Sequence, residues 1–173
     1  RLTPSVRRTE SIREIYVVKP SVYIETTIVS YLAARQSAEV VVRAHQELTR
    51  RWWRRRRTFD VHVSPLVIEE AGRGDPGASR RRRRLLHGIP LLAVTPEART
   101  VARRLLSARA LAPSAEVDAL HIAVAAVHGM EYLVTWNCRH IANARMRGRI
   151  EEVIRGAGYE PPLVCTPEEL LGE

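Results

Sequence analysis

Three carboxylates and one amide stand where a small acidic site could be built. Glu25 closes the apolar run Val22 to Ile24 and is followed by the hydroxyls of Thr26 and Thr27. Glu69 and Glu70 follow Ser64-Pro65 by one helical turn. Asp118 opens an apolar stretch that runs to His128, and Asn137 follows the run Tyr132 to Thr135. Carboxylates brought close together repel unless a cation neutralises them or some take up protons. Oxygen donors of this kind suit Mg²⁺ or Mn²⁺, which keep several waters and accept phosphate oxygens. Such an ion activates water and stabilises charge in phosphodiester displacement. Each residue also has a plainer reading. Glu25 can simply cap the helix that begins near Thr26, and Thr26 or Thr135 can cap a helix or turn, though their hydroxyls could equally orient metal-bound water or a phosphate.

The elements that must position these residues alternate. Apolar runs at 22 to 24, 59 to 64, 91 to 94, 132 to 135 and 163 to 165 read as five strands. Helical periodicity lies between them. Such alternation predicts an α/β fold, a mainly parallel sheet with right-handed crossovers. Ligand sites in such sheets lie outside the carboxyl ends of the strands. Glu25 and Asn137 fall at strand ends. Glu70 falls early in the helix leaving the second strand. Asp118 begins the helix entering the fourth, at the same edge and in a first turn that favours negative charge.

The helices carry recognisable stops and starts. Ser37 is expected to cap a helix whose inward stripe is Val41, Ala44, Leu48 and Trp52. Ser64-Pro65, Asp75-Pro76 and Thr95-Pro96-Glu97 read as caps with proline at the first position. The helix over 115 to 128 is apolar nearly all round and is therefore expected to be buried. His121 on it is read either as a core histidine with a satisfied hydrogen bond or as a companion of Asp118 at a metal. Thr166-Pro167-Glu168-Glu169 reads as a capping box on a last short helix.

With 173 residues and 45% hydrophobic content, the chain suits one domain with its own core rather than disorder. No apolar run approaches a membrane span, and the first residues show no apolar leader segment. Residues 1 to 19 read as an extension, with the domain expected over 20 to 173. Cys138 and Cys165 make no disulfide framework, which fits a reducing cytoplasm. With His140 they lie near one end of the sheet but lack recognisable zinc spacing.

The net charge of +9 favours a polyanionic partner such as nucleic acid. Arg54, Arg55, Arg56 and Arg57 interleave with Trp52 and Trp53, a combination suited to RNA. Arg80 to Arg84 form a second run, in which Arg81 and Arg84 are candidate RNA contacts. Both runs are equally read as solvated helix faces, and a chain with one lysine carries an arginine bias that composition alone can produce.

The stretches Val22-Tyr23-Ile24-Glu25-Thr26-Thr27, Ser64-Pro65-Leu66-Val67-Ile68-Glu69-Glu70, Asp118-Ala119-Leu120-His121-Ile122-Ala123 and Leu133-Val134-Thr135-Trp136-Asn137 resemble, in order and spacing, the PIN-domain family. Within it they are similar to the VapC-like toxin ribonucleases of toxin–antitoxin pairs. The resemblance implies a three-layer sandwich and a Mg²⁺- or Mn²⁺-dependent ribonuclease. It implies a small antitoxin partner and a homodimer. It places Glu25, Glu70 and Asp118 at the metal and Asn137 at a fourth acidic position, and its register selects Glu70 over Glu69. Two departures stand out. Glu25 replaces the family's usual aspartate, and Asn137 is neutral where a further aspartate is usual. A catalytically weak module binding RNA or a partner through arginine is the alternative.

Overall fold

The computed structural model describes residues 18 to 172. The extension expected over residues 1 to 19 therefore lies almost wholly outside the described residues. Four strands form one sheet in the order β2-β1-β3-β4, with β1 at Ser21–Ile24, β2 at Asp60–His62, β3 at Tyr132–Val134 and β4 at Leu163–Cys165. Every pairing is parallel. Helices α1 (Thr26–Ala33), α2 (Val40–Arg55), α3 (Pro65–Ala71), α4 (Pro76–Leu86), α5 (Pro96–Ser107), α6 (Glu116–Val127) and α7 (Ala144–Gly156) make the crossovers.

The central strands β1 and β3 are buried through Val22, Tyr23, Ile24, Leu133 and Val134, as parallel strands covered on both faces must be. The sheet is one strand smaller than the five expected. Residues 91 to 94 touch it only through a single parallel bridge between Val63 and Leu91. Pro90 brings no amide hydrogen to a ladder. Leu91 is exposed at the edge, and Thr95 already caps α5.

Helix α6 is the buried helix that its composition predicts, with Ala119 and every residue from His121 to Ala126 inside. Helix α2 sits differently from its apolar pattern. Gln46, Thr49 and Trp52 face inward, while Val41 is 65% exposed and Ala44 is exposed too. Polar partners cause the rotation. Gln46 donates to the Arg35 carbonyl (2.8 Å) and accepts from the Ser37 amide (3.0 Å), and Thr49 accepts from the Trp136 indole (2.8 Å). Ser37 does not cap α2. Its hydroxyl accepts from Glu39, and the helix starts at Val40. The capping box at Thr166 and Glu169 forms its bonds, but only a turn follows it.

Candidate metal centre

Glu25 takes up its plainer role. It follows β1, extends the ladder by donating its amide to Val134 (3.1 Å), and caps α1. Its Oε2 accepts from the Thr27 amide (3.1 Å), the Thr27 hydroxyl (2.6 Å) and the Thr135 hydroxyl (2.8 Å). The residue is only 5% exposed, and these donors offset the removal of its carboxylate from water. All three bonds converge on one oxygen. Among the described residues, no donor reaches Oε1.

Glu70 lies on the inner face of α3, whereas Glu69 faces solvent and pairs with Arg73 at 2.7 Å. Glu70 Oε2 accepts from the Thr26 hydroxyl and from His121 Nε2 (2.9 Å). Partial burial pushes its carboxyl up. The hydrogen bonds from His121 and Thr26, with the charges of His121 and Arg73, outweigh that and leave it below the ordinary glutamate value. Candidate ligand atoms of Glu25, Glu70 and His121 lie within 4.8 Å of one another. Behind His121 runs a buried chain: Nδ1 meets the Tyr23 hydroxyl at 2.7 Å, and that hydroxyl meets Ser64 Oγ at 2.6 Å. Burial raises the Tyr23 phenol far above its ordinary value, so it remains a hydroxyl.

Asp118 and Asn137 meet each other beside this cluster. Asn137 Nδ2 donates to Asp118 Oδ1 (2.8 Å), its carbonyl accepts the His140 amide (3.1 Å), and His140 Nδ1 donates to Asp118 Oδ2 (2.7 Å). Thr135 joins the two halves, because its hydroxyl accepts the Asn137 amide (2.9 Å) while donating to Glu25. Thr26 and Thr135 thus orient the two glutamates, Glu25 buried and Glu70 half-buried. Asp118 has both oxygens engaged, and it stands outside the Glu25–Glu70–His121 group.

The His121–Tyr23–Ser64 chain and the His140–Asp118 pair have no counterpart in the sequence pattern. Their only signals there are a tyrosine in an aliphatic strand and a histidine in an apolar helix. Trp136 adds a further cluster, stacked on His45 at 4.0 Å between centroids and edge-on to Tyr31. No zinc group forms among the described residues: His140 turns to Asp118, Cys138 is exposed, and burial pushes the Cys165 thiol up to about 12.

The arginines fall elsewhere. Arg54 and Arg55 close α2, and Arg56 and Arg57 form the 3₁₀ turn that leads into β2, whose Asp60 amide bonds Pro20 beside the start of β1. They therefore sit at the sheet edge opposite Glu25. Arg55 donates to the Leu171 carbonyl (2.6 Å), and the Arg56 guanidinium lies 4.5 Å from the Trp53 ring centroid. In the second run, Arg81 Nε donates to the last carbonyl of α1, Ala33 (2.9 Å), and Arg82 to that of α3, Ala71 (3.0 Å). Arg84 lines an open hollow of about 450 Å³ with Arg80, Arg83 and His87.

A PIN-domain family model matches residues 22–145, more than half of the chain, and the protein belongs to that family. No curated protein and no solved structure gives a significant match. PIN domains are in general nucleases that use divalent metals, and the donor set fits such an ion: two carboxylates, one nearly buried with an oxygen lacking a protein donor, and an imidazole within reach.

Proposed function

We propose that this protein is a Mg²⁺- or Mn²⁺-dependent endoribonuclease, the toxin of a VapC-like pair, held inactive by a small antitoxin and acting as a homodimer in the cytoplasm. The observation that carries the nuclease reading is the pair of inward-facing glutamates at the carboxyl edge of the sheet, each oriented by side-chain donors from a second element. Glu25 and Glu70 would hold the ion, with Asp118 beside them. The bound ion supplies an activated water and offsets charge on the phosphoryl oxygens. Thr135 and Thr27 fix the Glu25 carboxylate, while Thr26 and His121 fix that of Glu70. Asn137 and His140 hold Asp118 at the rim. The catalytic unit takes residues 20 to 173 as one domain, and the exposed arginines Arg80, Arg83 and Arg84 serve RNA phosphate or an acidic antitoxin segment.

One observation favours the weaker reading, an RNA- or partner-binding module: both Asp118 oxygens are already bonded, and Asn137 adds no charge. Incubation with single-stranded RNA, with and without Mn²⁺, separates the two. Metal-dependent cleavage that is lost in Asp118→Asn supports the nuclease. Arginine-dependent RNA binding without cleavage supports the module.

A further inference from the structure

The site contains a nitrogen donor that an all-oxygen metal centre does not need. His121 is 1% exposed, lies on the otherwise apolar α6, and points its Nε2 at Glu70 Oε2 over 2.9 Å. That is a hydrogen-bond distance. It is also about the separation of neighbouring ligand atoms on an octahedral ion with bonds of roughly 2.1 Å. A cation can therefore take the place of the bridging proton with little movement of either group. Glu25 lies within reach of both, 5% exposed, with its three hydrogen bonds all on Oε2.

For Nε2 to bind a cation, the ring must carry its proton on Nδ1. The group facing Nδ1 decides whether that is possible. A backbone amide there would forbid it, and a carbonyl would fix it permanently. The partner is the Tyr23 hydroxyl, which can donate or accept, and behind it stands a second hydroxyl, Ser64. With Nε2–H donating to Glu70, Ser64 donates to Tyr23 and Tyr23 donates to Nδ1. With Nε2 bare, Nδ1–H donates to Tyr23 and Tyr23 donates to Ser64. Both arrangements satisfy the same heavy atoms with a single proton on the ring. Metal-bound histidines typically donate their other ring N–H in this way.

We propose that His121 is itself a metal ligand, completing with Glu25 and Glu70 a set of one imidazole and two carboxylates that selects Mn²⁺ over Mg²⁺. Imidazole nitrogen adds affinity for first-row transition ions and little for Mg²⁺, which prefers oxygen. The inference rests on the metal-dependent reading above. It extends that reading by naming the third donor and the preferred ion.

The test uses the full chain with Mn²⁺ alone, read by pulsed electron paramagnetic resonance, which detects nitrogen directly bonded to the ion. The wild type is expected to show histidine nitrogen coupling that changes on ¹⁵N-histidine labelling. His121→Gln, whose amide can still donate to Glu70, should lose the coupling and bind Mn²⁺ about tenfold or more weaker. Its Mg²⁺ affinity should change less, so the Mn²⁺/Mg²⁺ preference falls. The double variant His45→Gln, His140→Gln keeps His121 as the only imidazole near the carboxylates and must retain the coupling, which assigns it even if His121→Gln fails to fold. Mn²⁺ bound without nitrogen coupling, or coupling abolished in the double variant, overturns the proposal and leaves the metal-dependent reading standing. Absence of any Mn²⁺ binding overturns both.

Discussion

Thr135 does three things with one hydroxyl. It donates to Glu25, accepts the Asn137 amide and lies 3.5 Å from the Thr27 hydroxyl, all while fully buried. Thr135→Val keeps the shape and removes the oxygen, leaving a buried carboxylate and an amide short of partners. That should cost about 1–3 kcal/mol in urea denaturation. Asn137 explains its own neutrality. An aspartate there would present an oxygen instead of Nδ2 to Asp118, over 2.8 Å. Asn137→Asp should therefore lower the stability of the metal-free protein and enlarge the gain on adding Mn²⁺, measured as melting temperature. An unchanged metal-free protein would contradict the Asn137–Asp118 hydrogen bond. Glu70 gives a pH signature. Its folded value lies below the ordinary 4.5, so its contribution to stability is present above that pH and is lost as pH falls through the lower folded value. Glu70→Gln should flatten the acid limb of a stability–pH profile taken without metal.

At the scale of elements, the arginine run of α4 divides by direction. Arg81 and Arg82 close the carboxyl ends of α1 and α3, where unpaired carbonyls and the negative end of the dipole favour a guanidinium. Arg84 faces the open hollow. Arg82→Ala should destabilise by roughly 1.5–3 kcal/mol, and Arg84→Ala by no more than about 0.5 kcal/mol, in paired denaturation curves. Sequence alone could not sort this run, since five adjacent arginines carry no periodicity. Helix α2 shows the same limit from the other side. Hydrophobic pattern assigns Gln46 and Thr49 to solvent, but their partners on Arg35, Ser37 and Trp136 hold them inside. By contrast, the placing of Glu25 at a strand end and of a glutamate in a proline-started helix is legible locally, while the choice of Glu70 over Glu69 rests on the family register. His121's partner Tyr23 is 98 residues away, a pairing that no local spacing reveals.

Over the whole molecule, charge and chemistry occupy different surfaces. The glutamates stand at the carboxyl edge of the sheet, Arg54 to Arg57 at the opposite edge, and the α4 arginines on an outer helix face. On the proposed reading, a net charge of +9 spread in this way would draw RNA electrostatically and leave cleavage to the acidic edge. Replacing Arg80, Arg83 and Arg84 together should flatten the dependence of RNA affinity on salt, by about 0.7 in log–log slope for every phosphate these arginines neutralise. An unchanged slope would mark them as a solvated face. Whether the inward-facing glutamate pair makes this PIN domain a metal-dependent nuclease is tested most directly by Mn²⁺-dependent cleavage of single-stranded RNA. The wild type is compared with Glu25→Gln and Glu70→Gln, each verified as folded by circular dichroism. The expected result is cleavage by the wild type that chelation stops, and at least a hundredfold loss in both variants, taking about 10²-fold as the cost of misplacing a catalytic group. Equal cleavage by all three proteins, or none by the wild type with Mn²⁺ bound, would contradict that role for the pair.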